Sequence, residues 1–236
     1  MILATCVMTG IAASSAQAAV ISVTVADATE EKIVLSDGNG AYFDDWMLLH
    51  SPSTSLQIFN QKAGATNIAT PTLNQATSSQ TNQPWMFGFD YTAVDAASGP
   101  AGSNIRRVVK VGVNGGVVDF TVNINDIGSS GVAGLIAGSN LVTYKITATI
   151  GSDINVFTTL VAPGNDDVVR YAITYSGVTD LAATLNIKME STATSGFRDF
   201  KFQAVTLADV VPVPEPTTMA LMGLGGITLL ARRRRA

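Results

Sequence analysis

Apolar and polar residues alternate in short runs along most of this chain, from residue 20 to residue 207. In residues 85–91 the large apolar positions are every second one, and residues 185–189 repeat the pattern. A period of two is typical of a β-strand with one buried face, whereas an amphipathic helix repeats every 3.6 residues. The alternation predicts twelve strands, at 20–26, 32–35, 42–49, 55–59, 85–91, 105–113, 117–124, 141–150, 154–161, 168–175, 181–189 and 197–207.

The residues between these runs favour tight turns. Asn-Gly, Asp-Gly and Ser-Gly pairs stand at 37–40, 114–115 and 176–177, where hairpins need a positive backbone φ. At most one short helical turn is predicted, at 132–137, and the stretch 60–84 is predicted to be a long loop. With no repeat or internal boundary, residues 19–209 are predicted to form a single all-β domain, a β-sandwich of jelly-roll type.

Because of the net charge of the body and its scarcity of cysteine and histidine, several classes of function are not expected. Between residues 19 and 214 there are ten Lys and Arg against seventeen Asp and Glu, a net charge near −7. An acidic body has no electrostatic attraction for nucleic acid or anionic lipid, so neither is an expected partner of it. The one cysteine, Cys6, lies in the N-terminal segment, and the one histidine is His50. Disulfides, thiol catalysis and cysteine-type zinc sites are therefore not expected in the body.

The N-terminus has the features of a signal peptide. Residues 1–18 form an apolar run that ends in small residues, and Ala16-Gln17-Ala18 is an A-x-A site for signal peptidase. Cleavage there makes Ala19 the first mature residue. No basic residue precedes Lys32, which a start codon placed too far downstream would explain. The alternatives are a lipoprotein-type box ending at Cys6 and a buried N-terminal strand or helix.

The C-terminus combines three parts in order. Residues 210–218 are a Pro-rich stalk containing Val213-Pro214-Glu215-Pro216, residues 219–231 are largely apolar, and residues 232–236 include Arg232, Arg233, Arg234 and Arg235. Thirteen helical residues reach about 20 Å, against a hydrocarbon core of about 30 Å. Local bilayer thinning can absorb that mismatch, and four arginines resist translocation. A single transmembrane helix is predicted, with its Arg-rich end in the cytoplasm.

The Pro-Glu-Pro motif, the short apolar stretch and the terminal arginines together resemble the PEP-CTERM sorting signal, over roughly residues 212–236. The resemblance implies that an exosortase recognises the tail and cleaves near Pro214-Glu215-Pro216. It also implies export across the inner membrane of a Gram-negative bacterium and association with exopolysaccharide, biofilm or matrix at the cell surface. A membrane anchor that is never processed is the alternative.

Catalysis is not expected. A Ser-His-Asp triad would need His50, yet no serine lies in a G-x-S-x-G turn. A glycoside hydrolase needs two carboxylates about 5–9.5 Å apart across a cleft. The candidates, which the sequence cannot pair, are Asp44, Asp45, Asp90, Asp119, Glu190 and Asp199.

Two weaker sites remain as hypotheses. Oxygen donors at Asp37, Asn39, Asp44 and Asp45 surround a tight turn and could bind calcium, as could residues 165–167; an ordinary hairpin turn is the alternative. Trp46, predicted to be exposed, and Tyr42 could stack on a sugar ring. The strand at 197–202 loosely resembles the last strand of lectin-like jelly rolls. A non-enzymatic matrix protein is the leading hypothesis, ahead of a carbohydrate-binding module with an aromatic cleft and a hydrolase.

Overall fold

The fold is all-β, with fifteen strands and no helix in the part of the chain that is described. The computed structural model describes residues 18–26, 32–36, 43–64, 67–77, 86–113, 117–140, 142–158, 168–180, 182–192 and 198–211. The strands are β1 (Val20–Val25), β2 (Lys32–Val34), β3 (Asp45–His50), β4 (Gln57–Gln61), β5 (Thr72–Leu73), β6 (Gly88–Tyr91), β7 (Gly102–Ile105), β8 (Val109–Val113), β9 (Val117–Ile124), β10 (Ser130–Asn140), β11 (Thr143–Ile150), β12 (Asp153–Thr158), β13 (Val168–Ser176), β14 (Leu185–Thr192) and β15 (Arg198–Val211).

These strands form three open sheets. The largest has seven strands in the order β1-β13-β10-β15-β3-β4, with β8 also paired to β15. The second has five, β12-β11-β14-β9-β5, and the third has three, β2-β6-β7. All described pairings are antiparallel except that of β2 with β6. Among the described residues no helix has the length and apolar character needed to cross a membrane. The predicted signal peptide and transmembrane segment lie outside those residues, apart from Ala18.

The main core lies between the seven-stranded and five-stranded sheets. Each strand contributes alternate residues, such as Phe120 of β9 and Phe202 of β15, whose rings stack with centroids 3.9 Å apart. The opposite residues of β9, β11 and β14 are polar, apart from Val117, and remain partly exposed. This arrangement confirms the predicted sandwich in its coarse form; jelly-roll connectivity stays a prediction.

A second core lies on the other face of the seven-stranded sheet. Trp46 and Leu48 of β3 and Ile136 of β10 pack there against Phe89 and Tyr91 of β6. Gln203 ties the two layers together, since its Oε1 accepts from Phe87 N at 3.1 Å and its Nε2 donates to Phe87 O at 3.2 Å. The three-stranded sheet therefore adds a third layer, and the seven-stranded sheet is buried on both faces in its centre.

Strand β10 corrects the prediction of a helical turn at 132–137. It lies between β13 and β15 at the centre of the largest sheet. Because both of its faces are covered there, its sequence is rich in Gly and Ala and shows no alternation. A Cβ at Gly131 would overlap the Tyr175 hydroxyl, and one at Gly134 would overlap Thr206 Oγ1. The small residues are thus required by close packing.

Other predicted boundaries shift by a few residues. The run 105–113 divides, because β7 ends at Ile105 in the third sheet while β8 begins at Val109 in the largest one. The predicted loop 60–84 contains β5 and a bridge between Ile68 and Ile124. Strand β15 continues to Val211, past the predicted end of the body at residue 209. Such short strands form by pairing with a strand that is distant in the sequence. The local pattern of apolar and polar residues therefore does not predict their bounds.

Candidate functional site

The prediction that Trp46 is exposed for sugar stacking is wrong. Trp46 is fully buried in the second core, with its ring centroid 5.4 Å from that of Tyr91. Its indole Nε1 donates to Asp95 Oδ2 at 3.2 Å. The third sheet covers this face of β3. The local sequence around Trp46 does not predict that another sheet covers it. Tyr42, the other predicted stacking residue, lies outside the described residues.

Asp45, a predicted calcium ligand, accepts hydrogen bonds from two backbone N–H groups. It is buried, and its Oδ1 accepts from Trp46 N at 2.7 Å while its Oδ2 accepts from Ile68 N at 2.9 Å. Burial raises the pKa of Asp45, against the lowering effect of these backbone hydrogen bonds. The carboxylate therefore joins the start of β3 to the segment around Ile68.

The rest of the calcium hypothesis rests on residues outside the described part. Asp37 and Asn39 lie there, as do residues 165–167, whereas Asp44 is described and exposed. Within the described residues no three His, Cys, Asp or Glu side chains group closely enough to hold a metal ion. Calcium binding by the 37–45 loop stays a prediction, with Asp45 the member that already has hydrogen-bond donors at both oxygens.

The described tyrosines are buried, which removes them from an aromatic cleft. The hydroxyls of Tyr144 and Tyr171 hydrogen-bond to each other inside the main core. Tyr175 Oη donates to Ile127 O at 2.8 Å, and Tyr91 packs in the second core. Burial raises the pKa of Tyr144, Tyr171 and Tyr175, so all three are neutral side chains that hydrogen-bond and pack inside the core.

An organised polar surface lies on the outward side of the five-stranded sheet. We call it the polar face and define it by nine side chains in three rows, one residue each from β11, β14 and β9. The rows follow from the strand register: Lys145, Glu190 and Asp119; Thr147, Lys188 and Thr121; Thr149, Asn186 and Asn123. Strict alternation sends the intervening residues into the main core.

A chain of ion pairs crosses one end of the polar face. Lys145 Nζ lies 2.7 Å from Glu190 Oε2, Lys188 Nζ lies 2.9 Å from Glu190 Oε1, and Lys188 Nζ lies 3.9 Å from Asp119 Oδ1. Hydrogen bonds from Lys145 and then Lys188 lower the pKa of Glu190, and the bond to Glu190 raises the pKa of Lys188. Two lysines offset two carboxylates, so the face is close to neutral.

Threonines and asparagines fill the remainder of the polar face. Asn186 Nδ2 donates to Asn123 Oδ1 at 2.6 Å at the end away from the ion pairs. Hydroxyl and amide groups both donate and accept hydrogen bonds, as sugar hydroxyls do. The alternation in 117–124 and 185–190 was visible in the sequence, but only the register of β9, β14 and β11 shows that these residues form one surface.

Three of the carboxylates proposed for hydrolysis, Glu190, Asp90 and Asp199, are paired with cations. Glu190 has a lowered pKa, whereas a general acid in glycoside hydrolysis needs a raised one. Burial opposes ionisation of Asp90, but its ion pair with Lys32 and its bond from Asn104 N lower its pKa overall. Asp199 Oδ2 lies 2.7 Å from Lys110 Nζ, where Asp199 is buried and Lys110 is partly exposed. These three carboxylates are thus arranged as ion-pair partners.

His50 ends β3 beside an aromatic ring. Its imidazole packs edge-on against Phe59, with centroids 5.3 Å apart. Burial, together with the charge of Arg107, lowers its pKa, so it is neutral at physiological pH.

Comparison with known proteins adds a result for the tail. Residues 212–235 match the family model described as the PEP-CTERM protein-sorting motif. No curated protein matches the chain. The solved structure of TmCBM61 in complex with beta-1,4-galactotriose is similar at 9% identity and a TM-score of 0.30, covering 48% of this chain and 72% of that one. A likeness at that level carries no argument about this chain.

The tail begins directly after the last strand. Strand β15 ends at Val211, and the matched motif starts at residue 212. The match confirms the resemblance drawn from Pro-Glu-Pro, the apolar stretch and the arginines. The C-terminal tail of this chain is therefore a PEP-CTERM sorting motif, which implies a secreted, membrane-anchored envelope protein of a Gram-negative bacterium that is sorted by an exosortase.

Proposed function

We propose that this protein is a non-enzymatic component of the extracellular matrix, associated with exopolysaccharide at the cell surface. A signal peptidase removes residues 1–18, the tail holds the body at the inner membrane, and an exosortase then cleaves near Pro214-Glu215-Pro216. The observation that carries the proposal is the sorting motif at residues 212–235, joined directly to the body.

The way the tail joins the body suits a tethered protein. Strand β15 pairs with β10, β3 and β8, and its register with β10 extends to Val211 opposite Ser130. The end of β15 at residues 208–211 pairs with β10 alone, whereas residues 199–207 have strands on both sides, so tension applied at the tail meets two rows of hydrogen bonds once it reaches residue 207. A body attached through an edge strand could instead be peeled away one bond at a time.

The polar face supports an association with polysaccharide. It is nearly neutral, lies on a rigid sheet, and presents hydroxyl and amide groups from Thr147, Thr149, Asn186 and Asn123. Such a surface would make many weak hydrogen bonds to a long hydroxylated polymer. Many weak contacts along one polymer give strong retention by avidity without a deep pocket for one sugar.

The sorting half of the proposal is tested by fractionation and intact-mass analysis. The full chain is expressed in a Gram-negative host with and without its exosortase. We expect surface or matrix protein that has lost the residues after the cleavage point, and membrane-held, unprocessed protein when the exosortase is absent. A triple change of Pro214, Glu215 and Pro216 to Ala should reproduce the second result in the first host. Normal processing of that variant would contradict the assignment of the motif as the recognition site.

The matrix half needs a separate readout. Wild-type protein is sedimented with exopolysaccharide purified from the same host, beside the double variant Thr147→Val, Thr149→Val. Valine keeps the shape and strand propensity of threonine but removes its hydroxyl. We expect a several-fold loss of co-sedimentation. Thr174→Val, an exposed change on β13 of the other sheet, is the matched control. Equal binding by all three proteins would contradict the role of the polar face. Tight binding of one oligosaccharide would favour a carbohydrate-binding module instead.

A further inference from the structure

Ala19 meets a carboxylate at the edge of the sandwich. Its backbone N donates to Asp153 Oδ2 at 2.7 Å. Ala19 directly precedes β1, an outer strand of the seven-stranded sheet, and Asp153 begins β12, an outer strand of the five-stranded sheet. The hydrogen bond therefore links the two large sheets where strands β1 and β12 lie side by side.

The surroundings of this bond are acidic. A cleft of about 530 Å³ opens beside it, lined by residues 18–19, 150–153, 177–180 and 182–184. The charged side chains in that lining are Asp153 and Asp180, with no lysine or arginine. Asp180 Oδ1 accepts from Ala182 N at 3.0 Å and is held by its own loop. In the described part of the chain no cationic side chain pairs with Asp153.

We propose that Asp153 is the binding partner of the α-ammonium group that signal-peptide cleavage creates at Ala19. This inference rests on the cleavage step of the proposed function. Water hydrolyses the Ala18–Ala19 peptide bond, so that Ala18 leaves with a carboxylate and the nitrogen of Ala19 takes a proton. The single amide donor that faces Asp153 becomes an ammonium with three donors and a positive charge.

The conversion strengthens the link between the sheets. A charge-assisted hydrogen bond is shorter and about twice as strong as one from a neutral amide. It also places a cation at the mouth of a cleft whose charged groups are two carboxylates. Processing thus strengthens the contact between β1 and β12, because Asp153 of β12 binds the mature N-terminus at Ala19.

The pair has a defined dependence on pH. A free α-amino group has a pKa of about 7.7–8.0, and a carboxylate at hydrogen-bond distance should raise that pKa in the folded protein. Because the folded pKa exceeds the unfolded one, the stabilisation is fully present below about pH 7.7 and is lost as the pH rises through the folded pKa. The facing titratable groups are Asp153 from β12 and Asp180 from the loop after β13.

The test measures the amine directly. Protein is purified after export of the full chain, its first residue is read by N-terminal sequencing, and its amines are labelled by reductive ¹³C-methylation for NMR titration. We expect Ala19 as the first residue and an α-amine pKa about one pH unit higher in the wild type than in Asp153→Asn. Asn keeps an acceptor for the Ala19 nitrogen, and circular dichroism verifies that the variant folds. Asp180→Asn is the control and should leave most of the elevation.

The outcomes separate the two proposals. If Ala19 is the first residue but its pKa is equal in the wild type and Asp153→Asn, the ion pair is overturned while export stands. A melting temperature that falls between pH 7.5 and 10 in the wild type, but not in Asp153→Asn, supports the pair independently. A first residue other than Ala19 removes both the cleavage site and the partner role of Asp153.

Discussion

At the scale of single residues, buried polar side chains fix the positions of neighbouring segments. Asp45 accepts a backbone hydrogen bond at each carboxylate oxygen, from Trp46 and from Ile68. The second bond positions the segment that bridges to Ile124 of β9. A residue that looks like a metal ligand in the sequence is thus part of the packing between two sheets.

Replacing Asp45 with Asn should destabilise the protein. The amide can accept from one of the two backbone donors, but its NH₂ group faces the other, which is left unpaired in a buried place. We expect a loss of about 2–3 kcal/mol in the free energy of unfolding, measured by urea denaturation at pH 7. The neighbouring change Asp44→Asn, at an exposed side chain, should cost less than Asp45→Asn does. Equal losses would contradict the structural role given to Asp45.

Glu190 should make a small contribution to the free energy of unfolding, which is lost at acid pH. Hydrogen bonds from Lys145 and then Lys188 lower its pKa below the unfolded value of about 4.3. A group whose folded pKa is lowered stabilises above the unfolded pKa, and that stabilisation is lost as the pH falls through the folded pKa. Glu190→Gln should therefore cost under about 1 kcal/mol at pH 7, because the pairs are solvent-screened, and that cost should disappear once the pH has fallen through the folded pKa of Glu190. A cost that stays constant across this range in denaturation experiments would argue against the ion pairs.

At the scale of elements, β10 shows how a central strand departs from the alternating pattern. Its neighbours β13 and β15 bring Tyr175 and Thr206 so close to its backbone that only glycine fits at Gly131 and Gly134. Glycine weakens a strand in isolation, yet here it permits the packing of side chains from both adjacent strands.

The close contact at Gly134 can be tested by a double-mutant cycle. Gly134→Ala places a Cβ against Thr206 Oγ1 in a fully buried site, and we expect a loss of about 1–3 kcal/mol. Thr206→Ala removes that hydroxyl, so Gly134→Ala should cost less than about 1 kcal/mol in the Thr206→Ala background. Urea denaturation of the four proteins gives the coupling. Additive losses would mean that something other than this contact selects glycine.

At the largest scale, strand β15 connects the layers of the body to the tail. Gln203 bonds the third sheet to β15 through Phe87, and it also donates to Arg107 O at 3.0 Å. The same strand continues to Val211, where the sorting motif follows. The strand that leads to the sorting tail is thus paired with three other strands of the seven-stranded sheet.

The terminal arginines should determine whether the tail stays in the membrane. Changing Arg232, Arg233, Arg234 and Arg235 to Ser removes the charges that resist translocation, and we expect weaker membrane retention in fractionated cells. The matched control changes all four to Lys, which keeps the charge and should keep the protein membrane-held until it is processed. Full retention and normal processing of the Ser variant would show that the arginines are not the stop to translocation.

The sequence alone predicts the β class and the sorting tail. Both are local: a period of two marks each strand, and the tail motif is contiguous in 212–235. It also marked which residues of β9 and β14 share a face, but not that β11 lies beside them to complete the polar face.

Which faces of the sheets are covered depends on the tertiary structure. It buried Trp46 under a third sheet, placed β10 at the centre of the largest one, and brought Ala19 to Asp153. The physical reason is that strand pairing and layer packing join residues far apart in the chain. Alternation tells which side chains point the same way, whereas a distant strand decides whether they meet protein or water.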